Sequence, residues 1–290
     1  LAGERLEDAA RRLTVLGAPA ARGSITPGRC DLAPAAIRKA LERFSTYHFG
    51  SGCDVRRVHV SDAGDLEISS FTPEQAFEPI RAGLERALER ADAVVLLGGD
   101  NSITRPGCHA LGDLSRCALV TLDAHLDLRY LDEGLTNGNP VRALLRDGLP
   151  GDHIFQIGIQ SFANSAPYAA VAREAGIHVI TAECVMERGI AAVLEEALRH
   201  LDTRVDRIYI DLDLDVLDRI YAPATPGSRP GGLTPHHVRQ AARMCGEHPK
   251  VRVMDLVEMD PTQDVAGATG LTAAACLLEF AVGLAGRTRG

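Results

Sequence analysis

Three side chains that bind divalent cations well, Asp123, His125 and Asp127, follow directly on an apolar run, Cys117-Ala-Leu-Val-Thr-Leu122. In an extended strand, residues two apart share one face, so the spacing predicts that all three point the same way. Buried carboxylates lose far more on desolvation than packing returns, so a positive group is required among them. A strand-end cap or a satisfied core group explains one such residue better than three. Ile208-Tyr-Ile-Asp-Leu-Asp-Leu-Asp215 makes the same demand: Asp211, Asp213 and Asp215 fall on one face, Leu212 and Leu214 on the other. Carboxylates this close repel one another unless a cation or protons intervene. The plainer alternative, the polar face of a half-exposed antiparallel strand, weakens because the other strands read as parallel.

Brought together, Asp123, His125, Asp127, Asp213 and Asp215 form a carboxylate-rich set with one imidazole. That set is wrong for a closed structural zinc site and suits a pair of Mn²⁺ ions. Shared carboxylates can bridge two metals roughly 3.5 Å apart, and a water between them becomes a nucleophile near neutral pH. Phosphoester hydrolysis would use the same ligands and stays open on this ground. Gly98-Gly-Asp-Asn-Ser102 lacks the lysine of a phosphate-binding loop, and no three-glycine dinucleotide fingerprint follows the first strand. Redox chemistry with a nucleotide cofactor is therefore disfavoured.

The elements that must position these residues alternate along the chain. Short apolar runs predict strands at Leu13–Leu16, Asp54–Val60, Ala93–Gly98, Cys117–Leu122, His153–Gln160, His178–Thr181, Ile208–Asp215 and Val251–Pro261. Helices are predicted from Pro34, over Thr72–Arg90, after Asn139, over Ser165–Ala175 and Glu187–Leu201, from Pro235, and over Thr272–Leu284. His236 and His237 are adjacent on a helix and diverge by about 100°, so they read as structural rather than as a metal pair. Eight strands alternating with helices give an α/β fold. It either closes as a barrel or lies open as a doubly wound sheet, and both place chemistry at the carboxyl ends of strands. Glu258, at such an end, either orients a cationic amidine or guanidine group, or else caps the next segment or pairs with an arginine such as Arg252.

The 290 residues, 46% of them apolar, suffice for a large core, and no linker divides them, so residues 1–290 read as a single domain. A formal charge of −8 without a dense basic run argues against nucleic-acid binding. Seven scattered cysteines, an odd number, read as reduced thiols in an intracellular protein. Leu1–Asp8 lacks the basic lead and apolar core of a signal peptide, and Leu271–Ala285, which carries Glu279, suits a core helix better than a membrane span. A cytoplasmic enzyme acting on a small molecule, without membrane attachment, is the expectation.

The four stretches Gly98-Gly-Asp-Asn-Ser102, Asp123-Ala-His-Leu-Asp127, Asp213-Leu-Asp-Val-Leu-Asp218 and Val257-Glu258 resemble, in order and spacing, those of the ureohydrolase (arginase and agmatinase) family. The likeness runs from about Leu13 to the last helix. It implies a three-layer α-β-α sandwich with a mainly parallel eight-stranded sheet, a two-manganese site that hydrolyses a C–N bond, and a symmetric homo-oligomer. Carried over, Asp123 and Asp213 bridge the metals, His125 and Asp215 complete one, and Asp127 and residue 101 complete the other. The family usually has histidine where this chain has Asn101, and a neutral amide oxygen is the weaker ligand, so that metal is expected to be held less tightly. Asp211 stands where serine is common, as an outer support or a partial compensation.

Arg129, Gly134-Leu-Thr-Asn-Gly-Asn-Pro-Val-Arg142, Gly158-Ile-Gln-Ser-Phe-Ala-Asn-Ser165, Tyr221-Ala-Pro and Val257-Glu258-Met-Asp-Pro261 resemble the formimidoylglutamases within the family. That likeness implies attack on N-formimidoyl-L-glutamate by a manganese-bound hydroxide, giving L-glutamate and formamide. Asp127 would hold the hydroxide, Glu258 the substrate amidine, and Arg129 and Asn137 would contact the substrate. The alternatives are an agmatinase or other guanidino hydrolase that releases urea, and a non-catalytic binding or structural relative.

Overall fold

Eight segments form the strands of one sheet in the computed structural model, which describes residues 11–287. They are β1 (Arg11–Ala18), β2 (Val58–Asp65), β3 (Ala93–Gly98), β4 (Cys117–Leu122), β5 (Ile154–Ile159), β6 (His178–Thr181), β7 (Arg207–Leu212) and β8 (Val251–Leu256). Their spatial order is β2-β1-β3-β8-β7-β4-β5-β6, and every pairing is parallel. The sheet is open and does not close as a barrel. The inner strands β3, β4 and β5 are buried along their whole length, as strands covered on both faces must be. The edge strands differ: β2 is exposed over most of its length and β6 alternates, which disfavours further pairing.

Nine helices cover the two faces among the described residues: α1 (Ala33–Leu41), α2 (Pro73–Leu88), α3 (Thr104–His109), α4 (Pro140–Asp147), α5 (Ala166–Ala175), α6 (Ala182–Arg188), α7 (Ile190–Asp202), α8 (Pro235–Glu247) and α9 (Ala268–Ala285). Strand alternation divides the core between them. Val95 and Leu97 pack with α1 and α6–α9, whereas Val94 and Leu96 pack with α2–α5. This is the three-layer α-β-α arrangement. Helix α9 is apolar and long enough to cross a membrane by length and composition, yet 78% of it is buried in the fold, and its Glu279 is held by Arg239 at 2.7 Å.

Several element ends differ from those read in the sequence. The second strand starts at Val58 rather than Asp54, because the Asp54 carboxylate accepts from Arg56 N and caps a 3-10 turn. The helix over Glu187–Leu201 is two helices, broken at Gly189, whose φ of +81° lies outside the helical region. The last helix begins four residues early, at Ala268. His237 serves the N-terminus of α8, its Nδ1 accepting from Thr234 N at 3.2 Å, as a structural histidine would. All seven cysteines are free. The signal-peptide reading at Leu1–Asp8 lies outside the described residues.

Candidate metal centre

β4 and β7 are hydrogen-bonded neighbours in the middle of the sheet, with Leu122 opposite Leu212 at their carboxyl ends. Both strands stop there; Asp211 lies inside β7, and Asp123, His125, Asp127, Asp213 and Asp215 lie just beyond the strand ends. Neither triplet is therefore the single strand face that alternation predicts. Asp127 turns into the left-handed region (φ 51°), and Asp213 opens a 3-10 turn, its Oδ1 accepting from Asp215 N at 2.8 Å. The two loops are tied together where Asp213 N donates to Leu122 O at 3.0 Å and Ala124 N donates to Asp215 Oδ1 at 3.2 Å. One backbone bond and one side-chain-to-backbone bond thus supply the convergence that strand geometry alone does not.

Asp123, His125 and Asp215 bring ligand atoms within 4.8 Å of one another. His125 Nδ1 lies 2.8 Å from Asp215 Oδ2 and 3.5 Å from Asp123 Oδ1. Asp127 and Asp213 line the same cleft of about 180 Å³. Asn101, at the start of the turn after β3, meets the group from the side: its Nδ2 donates to Asp127 Oδ2 at 2.5 Å, and its Oδ1 accepts from Thr104 at 2.6 Å. Glu258, just past β8 and also left-handed (φ 65°), accepts at Oε1 from Asn101 N (2.7 Å) and Asn137 Nδ2 (3.0 Å). Left-handed backbone at two non-glycine residues costs on the order of 1 kcal/mol or more each, and such strain concentrates at functional sites. Arg252 instead caps backbone carbonyls of Leu88, Ala91 and Asp92, so it does not pair with Glu258.

The electrostatics ask for a cation. Burial first, then the charge of Asp215, raises the Asp123 carboxyl to about 7. Asp127 and Asp213 are pushed well above the usual range by burial and by neighbouring carboxylates. Asp123 Oδ2 is buried with no hydrogen-bond partner, so it is open to a ligand. An oxygen-rich set with one imidazole fits a divalent ion of the Mn²⁺ kind. Gly227 closes over the ligands: a Cβ there would sit 2.1 Å from Asp215 Oδ2 and 3.0 Å from His125 Cε1. Gly227→Ala is expected to weaken Mn²⁺ binding by about tenfold or more while leaving the metal-free melting temperature nearly unchanged, because only ligand geometry is disturbed. Isothermal titration and a thermal melt check the two halves of this expectation.

His125, Asp127, Arg129, Asn137, Asp213, Asp215 and Glu258 line this cleft, and Asp123 and Asn101 touch its lining residues from behind. Arg129 lines it, exposed, with its stem over Gly138, and Asn137 joins Glu258 to the loop at Ile25, whose N donates to Asn137 Oδ1 at 3.0 Å. Asp211 takes a different place. It lies under the sheet's end with Asp255, buried and without a donor to either oxygen; burial and the Asp255 charge raise its pKa well above the usual range. Asp255 is already satisfied by Tyr209 and Leu212 N, and Asp211 does not line the cleft.

Sequence reasoning missed Arg229, whose Nη1 lies 2.7 Å from His125 Nε2. It also missed Asn164, which holds the ligand loop through Leu126 N and Ala124 O. Both sit in loops with no periodic signal. Asp215 and Asp123 pull His125 towards its doubly protonated form, to about 11, against burial. The Arg229 contact requires Nε2 to accept, and the 2.7 Å geometry therefore favours the neutral ring with its hydrogen on Nδ1.

Residues 11–283 match the model of the arginase family. The chain is 37% identical over 276 residues to a formimidoylglutamase of Halalkalibacterium halodurans, covering 93% of this chain and 86% of that protein. A guanidinopropionase of Pseudomonas aeruginosa is 32% identical over 281 residues, covering 94% and 87%. The crystal structure of formimidoylglutamase from Bacillus subtilis superposes with a TM-score of 0.90 at 31% identity, over 98% of this chain and 89% of that one. By the match of its sequence, the order of its strands and the acidic loops at their ends, the chain belongs to the arginase family.

Proposed function

We propose that the chain hydrolyses N-formimidoyl-L-glutamate to L-glutamate and formamide with two Mn²⁺ ions. The observation that carries this reading is the polarity of the cleft: a floor of carboxylates ending in Glu258, and a rim bearing Arg129 and Arg229. A substrate with a cationic amidine at one end and two carboxylates at the other matches that polarity, whereas agmatine has no carboxylate for the arginines. The formimidoylglutamase relatives support it.

Glu258 has Oε1 occupied by two donors, which leaves Oε2 to accept an amidine N–H and fix the reacting carbon over the ligands. Asp127, whose buried carboxyl is raised well above the usual range, takes up a proton in the cleft and returns it to the departing amino nitrogen of glutamate. When bound, Mn²⁺ supplies a nucleophile at neutral pH by acidifying water and offsets the charge that develops during attack. Were His125 to ligate through Nδ1, its hydrogen would move to Nε2, and Arg229 would lose its acceptor and become available to a substrate carboxylate.

Asp123, His125, Asp213 and Asp215 would hold one ion, and Asp123, Asp127, Asp213 and Asn101 would hold the other. Asn101 turns its amide nitrogen towards Asp127, so ligation through Oδ1 requires the amide to flip; Nδ2 then donates to Thr104, which can pass its own proton to Asp255 Oδ2 at 3.2 Å. The neutral amide leaves this ion the weaker of the two. Mn²⁺ titration is expected to give two affinities at least about tenfold apart, and Asn101→His to bring them together. Two equally tight sites in the unaltered chain would contradict the assignment.

A product assay with formimidoylglutamate, agmatine, arginine and guanidino acids tests the whole reading. Glutamate and formamide are expected from the first and no urea from the others. Urea from a guanidino acid would move the chain towards the guanidinopropionase side of the family.

A further inference from the structure

We propose that Asp152, His178 and His200 form a second divalent-metal site, at the opposite end of the sheet from the cleft, that takes Zn²⁺. Asp152 lies in the 3-10 turn that leads into β5, His178 is the first residue of edge strand β6, and His200 is in the last turn of α7. All three therefore sit at the amino ends of the strands. Their ligand atoms lie within 4.8 Å of one another.

Two of the three ligand spacings are close to those of a tetrahedral ion. Asp152 Oδ1 is 3.0 Å from His178 Nε2 and 3.3 Å from His200 Nε2. Zinc bonds of about 2.0–2.1 Å at tetrahedral angles place neighbouring ligand atoms roughly 3.3–3.4 Å apart, so the oxygen–nitrogen spacings need only small adjustments. Both rings are held in position. His178 stacks on Phe155 at 4.1 Å and 10°, and His200 meets the same ring edge-on at 5.3 Å. A plain ion pair explains less of this. His178 makes a hydrogen bond to Asp152, but the Nε2 of His200 is buried, lies at ion-pair distance and has no hydrogen-bond partner. A buried ring nitrogen without a partner, aimed at a shared carboxylate oxygen, is accounted for by an ion between them.

Nearby charges leave room for that ion. Arg204 Nε lies 3.6 Å from the other oxygen of Asp152, so it engages Oδ2 and leaves Oδ1 to the metal. Glu196, on α7, contributes a negative charge close to His178. Two imidazoles and one carboxylate suit Zn²⁺ better than Mn²⁺, which favours oxygen. Because Asp152 is exposed, water completes the coordination, and the ion clamps the turn before β5, the edge strand and the end of α7 together.

The full chain, first loaded with Mn²⁺, is titrated with Zn²⁺ against a chromogenic chelator, with bound Mn²⁺ measured by elemental analysis. One equivalent of Zn²⁺ is expected to bind while the Mn²⁺ content stays constant, and the affinity is expected to fall by about tenfold or more in Asp152→Asn and in His178→Gln. Asp152 is on the surface, so its variant keeps the fold, as a melt in the absence of Zn²⁺ verifies. Zinc uptake that only displaces manganese, or uptake unchanged in Asp152→Asn, overturns the proposal.

Discussion

Replacing Asp213 with asparagine is expected to lower kcat for formimidoylglutamate by about a thousandfold or more, equivalent to about 4 kcal/mol of lost transition-state stabilisation. The variant keeps the local fold, because asparagine Oδ1 can still accept from Asp215 N, the bond that shapes the turn. The backbone ties to Leu122 and Val257 do not involve the side chain. What is lost is one negative charge from a group that faces Asp215, Asp123 and Glu258. A neutral amide can hold only one ion weakly, so two metals can no longer be held side by side. The same change relieves repulsion in the metal-free chain, whose melting temperature is expected to hold or rise. Turnover and metal content measured on one preparation separate the two effects, and substantial activity in the variant would refute the role given to Asp213.

Which parts of this site could be read in the sequence follows from what each residue depends on. Asp123, His125, Asp127, Asp213 and Asp215 stand out because each follows an apolar run at fixed spacing, and a strand's end is where such a run delivers its next residues. Their actual convergence was not legible, since it comes from Asp213 N reaching Leu122 O and Ala124 N reaching Asp215, contacts between segments about ninety residues apart. Arg229 is the extreme case. It approaches His125 across 104 residues from a loop rich in proline and glycine, where periodicity carries no information. The sheet was legible as eight alternating strands, but the choice between barrel and open sheet depends on whether β2 and β6 pair. Their exposed, polar character decides it only once the strand order is known. The break at Gly189 was hidden for a related reason: helical spacing continues on both sides, and only the backbone angle reveals the turn.

Stripped of metal, the chain is expected to lose stability as pH rises from about 4 to about 8, and saturating Mn²⁺ is expected to reverse that trend. Burial raises Asp123 to about 7, with Asp215 adding to it, Asp255 to about 6, and Glu258 to about 8, with Asp100 adding to it. A carboxyl whose folded pKa exceeds its unfolded value of about 4 binds more protons in the native state. Its favourable contribution is therefore complete below pH 4 and is lost as pH climbs through the folded pKa. Asp215, lowered by His125 despite its burial, acts oppositely but below the usual carboxylate range, outside this window. The melting temperature of chelator-treated protein is expected to fall on the order of 5 °C or more between pH 5 and pH 8 at constant ionic strength. Mn²⁺ binds the ionised carboxylates, so its stabilisation grows as protons cease to compete, and the loaded chain gains over the interval in which the stripped chain loses. A stripped chain whose melting temperature is flat across that interval would mean that the acidic loops separate when empty, and that the ion assembles the centre instead of entering one already formed.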